Sequence, residues 1–122
     1  MALVVVKGAT IMCSHGGALT PVAGEDTATV SGMGIVTLGM ETPLTFGTPE
    51  VPIGALPPCT AATPAGTHQP CVTSPSTAGM STTLFIGGKP ALLATATGQT
   101  ASGAGLGKWT VSQAGQTQLQ AT

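Results

Sequence analysis

The sequence predicts an all-β protein of short strands and hairpins, stapled by a metal ion. Three observations carry this reading. Gly (18) and Pro (10) punctuate the chain, and neither suits a helix interior. Thr and Val, which favour strands, fill the intervening segments. Finally, the three cysteines and two histidines all fall into two groups along the chain.

The strands can be read in order. Leu3 to Val6 is an apolar opening strand. Ala28 to Ser31 and Gly34 to Leu38 form a second pair. Thr82 to Ile86 is the clearest strand; Gly87-Gly88 turns it back through Pro90 to Leu93. Trp109 to Gln113 and Thr117 to Ala121 flank Ala114-Gly115 as a further hairpin. Gly103 to Gly107 has neither the Lys-Ser/Thr of a phosphate loop nor a following helix signal, so it reads as a flexible turn. Thr48 to Thr77 holds seven prolines (Pro49, Pro52, Pro57, Pro58, Pro64, Pro70 and Pro75) and is loop and sheet edge. A loop of this length inside a compact domain needs something to tie it down.

A chain of 122 residues predicts a single domain, 1–122, with a thin core. Phe46, Phe85 and Trp109 are its aromatic residues, so the core must come from aliphatic side chains. Domains of this kind commonly need a disulfide or metal staple. Only 6% of residues are charged, and the net charge is −1. Lys7, Lys89 and Lys108 cannot form the basic footprint that nucleic acid requires, which excludes that class of partner. The mean hydropathy of +0.41 argues against a disordered chain. A spanning helix needs ~20 apolar residues, and Ala2 to Val6 is cut by Lys7 and Gly8. No cleavable secretory signal is legible either, which predicts assembly in the cytoplasm.

The candidate metal ligands are Cys13, His15, Cys59, His68 and Cys71. Cys13 and His15 are two residues apart, so on an extended segment both would face one way. Cys59, His68 and Cys71 sit within the proline-rich stretch. Structural zinc takes four thiolate or imidazole ligands. Five residues compete for four places: Cys13, His15, Cys59 and Cys71 are the expected set, with His68 as substitute or supporting group. Each residue alone reads as an ordinary buried Cys or a hydrogen-bonded His; the grouping favours metal. A nucleophilic pairing of Cys71 with His68 would need a third, orienting group. The acids Glu25, Asp26, Glu41 and Glu50 lie in no recognisable motif, so no enzymatic activity is expected.

Three segments then resemble one family. The run Gly8-Ala-Thr-Ile-Met-Cys-Ser-His-Gly-Gly17 resembles the opening of PAAR and PAAR-like proteins. Leu84-Phe-Ile-Gly-Gly-Lys-Pro-Ala-Leu-Leu93 is similar to their strand–Gly-Gly–Lys-Pro-Ala hairpin. Pro70-Cys-Val-Thr73 is similar to a Pro-Cys-Val-Thr piece of PAAR-like variants. The resemblance covers about Val4 to Leu119. It implies a small cone of short repeated β-hairpins that caps a trimeric, VgrG-like β-helical spike in type VI secretion machines, phage tails or extracellular injection particles. It further implies one structural Zn2+ near the apex, with His15 and the cysteines as ligands. Effector proteins as cargo, transient contact with a target membrane, and release from the producing cell on contraction also follow from it. Typical members use more histidines than cysteines, and Gly98 to Gly107 lacks a Cys that relatives often carry. On this reading the spike is expected to meet backbone and small side chains near the N-terminal strand.

Overall fold

The computed structural model describes residues 2–21, 24–40, 42, 44–53, 56–102 and 105–122. Among them there is no helix; the fold is all-β. Nine strands follow in order: β1 Ala2–Leu3, β2 Thr10–Cys13, β3 Ala18–Leu19, β4 Glu25–Val30, β5 Met33–Ile35, β6 Val72–Ile86, β7 Lys89–Ser102, β8 Gly105–Gln113 and β9 Gln120–Ala121. A five-stranded antiparallel sheet runs β3-β2-β8-β7-β6. Two small antiparallel pairs, β1-β9 and β4-β5, accompany it.

The Gly87-Gly88 turn closes the longest hairpin. Both glycines have positive φ, at 60° and 82°, which a two-residue turn between twisted strands demands. The hairpin extends well beyond the short apolar signal, through Thr- and Ser-rich sequence on both arms. Pro75 is accommodated because β6 is the outer strand of its sheet.

The core splits in two about the N-terminal strand. Val5 joins Ile11, Val36, Phe46, Leu92, Trp109 and the three cysteines. Val4 and Val6 point the other way, into a cluster with Val30, Ile35, Ala91 and Leu93. This is the two-residue period of an extended chain with both faces covered. All three valines are 0% exposed. Their backbones are held by Leu119, Leu92 and Ala114 carbonyls at 2.9–3.0 Å. Val4 to Val6 are therefore interior, whereas Ala2 and Leu3 before them are partly exposed.

Two expectations change. The chain after Gly115 does not return along β8, because β2 and β7 already occupy both edges of that strand. It crosses instead to pair with β1, and Gln116 secures the crossing by donating to the Val4 and Leu119 carbonyls at 2.7 and 2.9 Å. In the glycine-rich segment, residues 105–107 are strand, with Thr100 opposite Gly107. Gly103, Ala104 and Glu41 lie outside the described residues.

No helix among the described residues is long and apolar enough to cross a membrane.

Candidate metal centre

Three separate pieces of chain bring Cys13, His15, Cys59 and Cys71 together. Their ligand atoms all lie within 4.8 Å of one another. The three cysteines are buried and unpaired by disulfides, while His15 is partly exposed. His15 Nδ1 lies 3.2 Å from Cys71 Sγ, and Cys59 Sγ lies 3.3 Å from Cys71 Sγ.

The first piece is a tight turn at the end of β2. The Cys13 N–H donates to the Gly17 carbonyl at 2.9 Å, and Gly16 adopts φ 83° within the turn. Gly17 then donates its N–H to Cys13 Sγ at 3.2 Å. Strand alternation is thus not what aligns Cys13 with His15. The strand ends at Cys13, and the turn carries the imidazole back over the same site.

The second and third pieces are the two ends of one loop. The Cys59 N–H bonds to the Gly47 carbonyl at 2.7 Å. Thr60 reaches the His15 carbonyl with its hydroxyl at 2.8 Å, which ties this segment to the first. The loop closes on itself through an Ala62–His68 bridge and a Gln69 N–H to Ala61 carbonyl bond. Cys71 follows, immediately before β6, where its carbonyl accepts from Phe46 N–H at 3.0 Å.

His68 does not join the group. It sits farther up the loop, where Nδ1 meets Glu50 Oε1 at 2.6 Å. That contact holds the Glu50 carboxyl below its usual range. A cleft of about 530 Å³ opens beside this pair, between Phe46, Val51 and Pro70.

Glycine makes the close packing possible. A Cβ on Gly17 would stand 2.8–2.9 Å from the Cys59 backbone N, Cα and Cβ. A Cβ on Gly107 would stand 3.1 Å from His15 Cε1, 2.8 Å from Thr100 Oγ1 and 2.6 Å from Ser14 Oγ. Gly17 closes the opening motif that carries Cys13 and His15, but sequence reasoning missed Gly107 and Thr100 as parts of this site. Their signal lies in tertiary proximity, which no local motif encodes.

The electrostatics suit a cation. Burial, with a further contribution from the Cys59 thiol, pushes the Cys71 thiol up to about 12. Burial also raises Cys13, against the pull of the His15 and Gly17 backbone N–H groups. Burial acts on Cys59 too, but backbone N–H groups of Ala61 and Cys71 and the neighbouring thiols outweigh it and bring Cys59 below the ordinary value. Three crowded thiols sharing one site ionise together only when a cation balances them.

The donor set fits zinc. Tetrahedral sites with Zn–S of about 2.3 Å and Zn–N of about 2.0 Å have edges of about 3.8 Å between sulfurs and about 3.5 Å between sulfur and nitrogen. The observed 3.2 and 3.3 Å contacts need to open by only a few tenths of an ångström to about half an ångström. The four residues can therefore hold one metal ion. Comparison of the chain with protein-family models, with curated proteins and with solved structures gives no match.

Proposed function

We propose that the protein is a PAAR-like tip that caps the trimeric spike of a contractile injection system, with one structural zinc ion held by Cys13, His15, Cys59 and Cys71. The observation that carries the reading is the convergence of the four donors. Two of the three segments that resemble PAAR-like proteins supply Cys13, His15 and Cys71, and the third is the Gly87-Gly88 hairpin.

A piercing point must resist fraying, yet this chain has few rings with which to build a large core. A metal joining residues 13, 15, 59 and 71 would clamp the β2 turn, the long loop and the start of β6 to each other. Three thiolates and one imidazole favour zinc among common divalent ions. Four protein donors fill a tetrahedron, whereas catalytic zinc keeps one position open for water. The site thus favours a structural role over an enzymatic one. A single copy on a threefold spike would bind through a symmetry mismatch.

The test is reconstitution of the zinc-loaded chain with the trimeric spike protein of the same contractile apparatus, read by native mass spectrometry and electron microscopy. One chain per trimer, seated at the end of the spike, is expected. A folded, zinc-loaded chain that forms no such complex would instead support a free metal-binding adaptor or effector-binding module.

A further inference from the structure

We propose that Thr100 is a positioning residue of the metal centre, whose hydroxyl donates a hydrogen bond to the Cys71 sulfur when metal is bound. The inference rests on the metal reading above and adds to it a residue that the four-donor set does not contain.

Three thiolates and a neutral imidazole around a divalent cation leave one net negative charge in the protein interior. Such charge needs hydrogen-bond donors directed at the sulfurs. Cys13 has the Gly17 N–H, at 3.2 Å from Sγ. Cys59 has backbone N–H groups from Ala61 and Cys71. Cys71 stands differently. Its close sulfur contacts are Cys59 Sγ at 3.3 Å and His15 Nδ1 at 3.2 Å. Both of those atoms become metal ligands, and neither keeps a proton to donate.

The Thr100 hydroxyl is placed to take over. Thr100 is 0% exposed, and its Oγ1 meets no acceptor at full hydrogen-bonding geometry among the described residues. An orphaned buried hydroxyl is destabilising, so its retention asks for a reason. The sheet supplies one. Thr100 pairs with Thr73, two residues beyond Cys71, on one side, and with Gly107 on the other. Residues directly opposite across a ladder share a face, which puts Thr73, Thr100 and Gly107 on one side of the sheet, with Cys71 two residues before Thr73, just ahead of the strand. Gly107 leaves a gap that both the His15 ring and the Thr100 hydroxyl border. Of the sulfurs, it is that of Cys71 which the Thr100 hydroxyl neighbours as a side-chain hydrogen-bonding partner. Thr37 carries the other orphaned buried hydroxyl among the described residues; it bridges to Ala91, at the opposite end of β7 from Thr100.

The experiment is metal competition against a chromophoric chelator, together with absorption spectra of the cobalt-loaded protein. Thr100→Val keeps the shape and removes the donor; Thr100→Ser keeps the donor. Zinc affinity of the Val variant is expected to fall about 10- to 100-fold, with a shift of the thiolate-to-cobalt charge-transfer band. The Ser variant should restore both. A Val variant with wild-type affinity and spectrum overturns the inference. So does a Ser variant that loses as much as Val, since that marks a packing role. Should Thr100→Val fail to fold, the wild-type protein loaded with NMR-active cadmium decides. Scalar coupling between the metal and the Thr100 hydroxyl proton supports the bond, and its absence refutes it. A wild-type chain that binds no metal would refute the metal reading itself, a distinct outcome.

Discussion

Gly17→Ala is the most informative small perturbation of this protein. Gly17 is not among the glycines with positive φ, so alanine meets no backbone strain there and only space is at issue. The new Cβ would stand 2.8 Å from Cys59 Cα and 2.9 Å from both its N and Cβ. Ordinary contact starts near 3.4 Å, so the two segments must part by about half an ångström. Backbone atoms cannot swing aside, and overpacking of this kind costs ~1–3 kcal/mol. The parting falls between Cys13 and Cys59, whereas metal sites tolerate errors of only about 0.2 Å in ligand distance. Zinc affinity should therefore fall about 10- to 100-fold, equivalent to ~1.4–2.8 kcal/mol. The assay pairs chelator competition with thermal unfolding, with and without zinc. Gly32→Ala is the control: its φ of 80° strains an alanine, but no atom lies within 4 Å and the turn is remote from the cluster. It should lower stability by about 1–2 kcal/mol and leave metal affinity unchanged. A Gly17→Ala protein with wild-type affinity and melting temperature would refute the packing argument.

Other expectations follow from the same geometry. His68→Ala should leave zinc stoichiometry unchanged, because His68 is engaged with Glu50; loss of the ion would return His68 to the ligand set. In the same variant the Glu50 carboxyl, freed of its partner, should titrate at a higher pH by NMR. Zinc affinity should fall steeply with acidification. Cys71, at about 12, and Cys13, also raised, are protonated in the metal-free protein at neutral pH, so binding expels at least those two protons. Acid then favours the metal-free form, by about 100-fold per pH unit around neutrality, measurable by competition titration. A flat pH profile would contradict thiolate ligation. Thr37→Val removes a buried hydroxyl without a partner and should be neutral or stabilising by about 1 kcal/mol in denaturant unfolding, with metal affinity unchanged.

Much of the fold was legible because local chemistry and tertiary structure agree. Gly87-Gly88 between apolar runs can do little but turn, and it does. Val4 to Val6 reads as an extended apolar run and is buried on both faces. The long arms of β6 and β7 were harder to see, since Thr, Ser and Gly from Val72 to Met80 and from Thr95 to Ser102 lack apolar alternation. Their pairing is with each other, and on one side with β8, so register rather than local pattern makes them strands. The β9 crossover was illegible for a related reason: which edge of β8 is free depends on strands distant in sequence. In the site, the four donors could be found by residue type alone, since every Cys and His in the chain was a candidate. Excluding His68 required the Ala62–His68 bridge, which sets the reach of the loop. Thr100 and Gly107 gave no sequence signal, because threonine and glycine are common here and their roles arise only where three strands meet.

The central claim is that one metal ion on Cys13, His15, Cys59 and Cys71 holds this small fold together. Native mass spectrometry of the intact chain purified in the presence of zinc, alongside Cys59→Ser and Cys71→Ser variants, tests it most directly. The account predicts one zinc per wild-type chain, and in each variant loss of the ion together with loss of the cooperative unfolding transition. A wild-type chain free of zinc, or a Cys71→Ser chain that keeps both its ion and its stability, would contradict it.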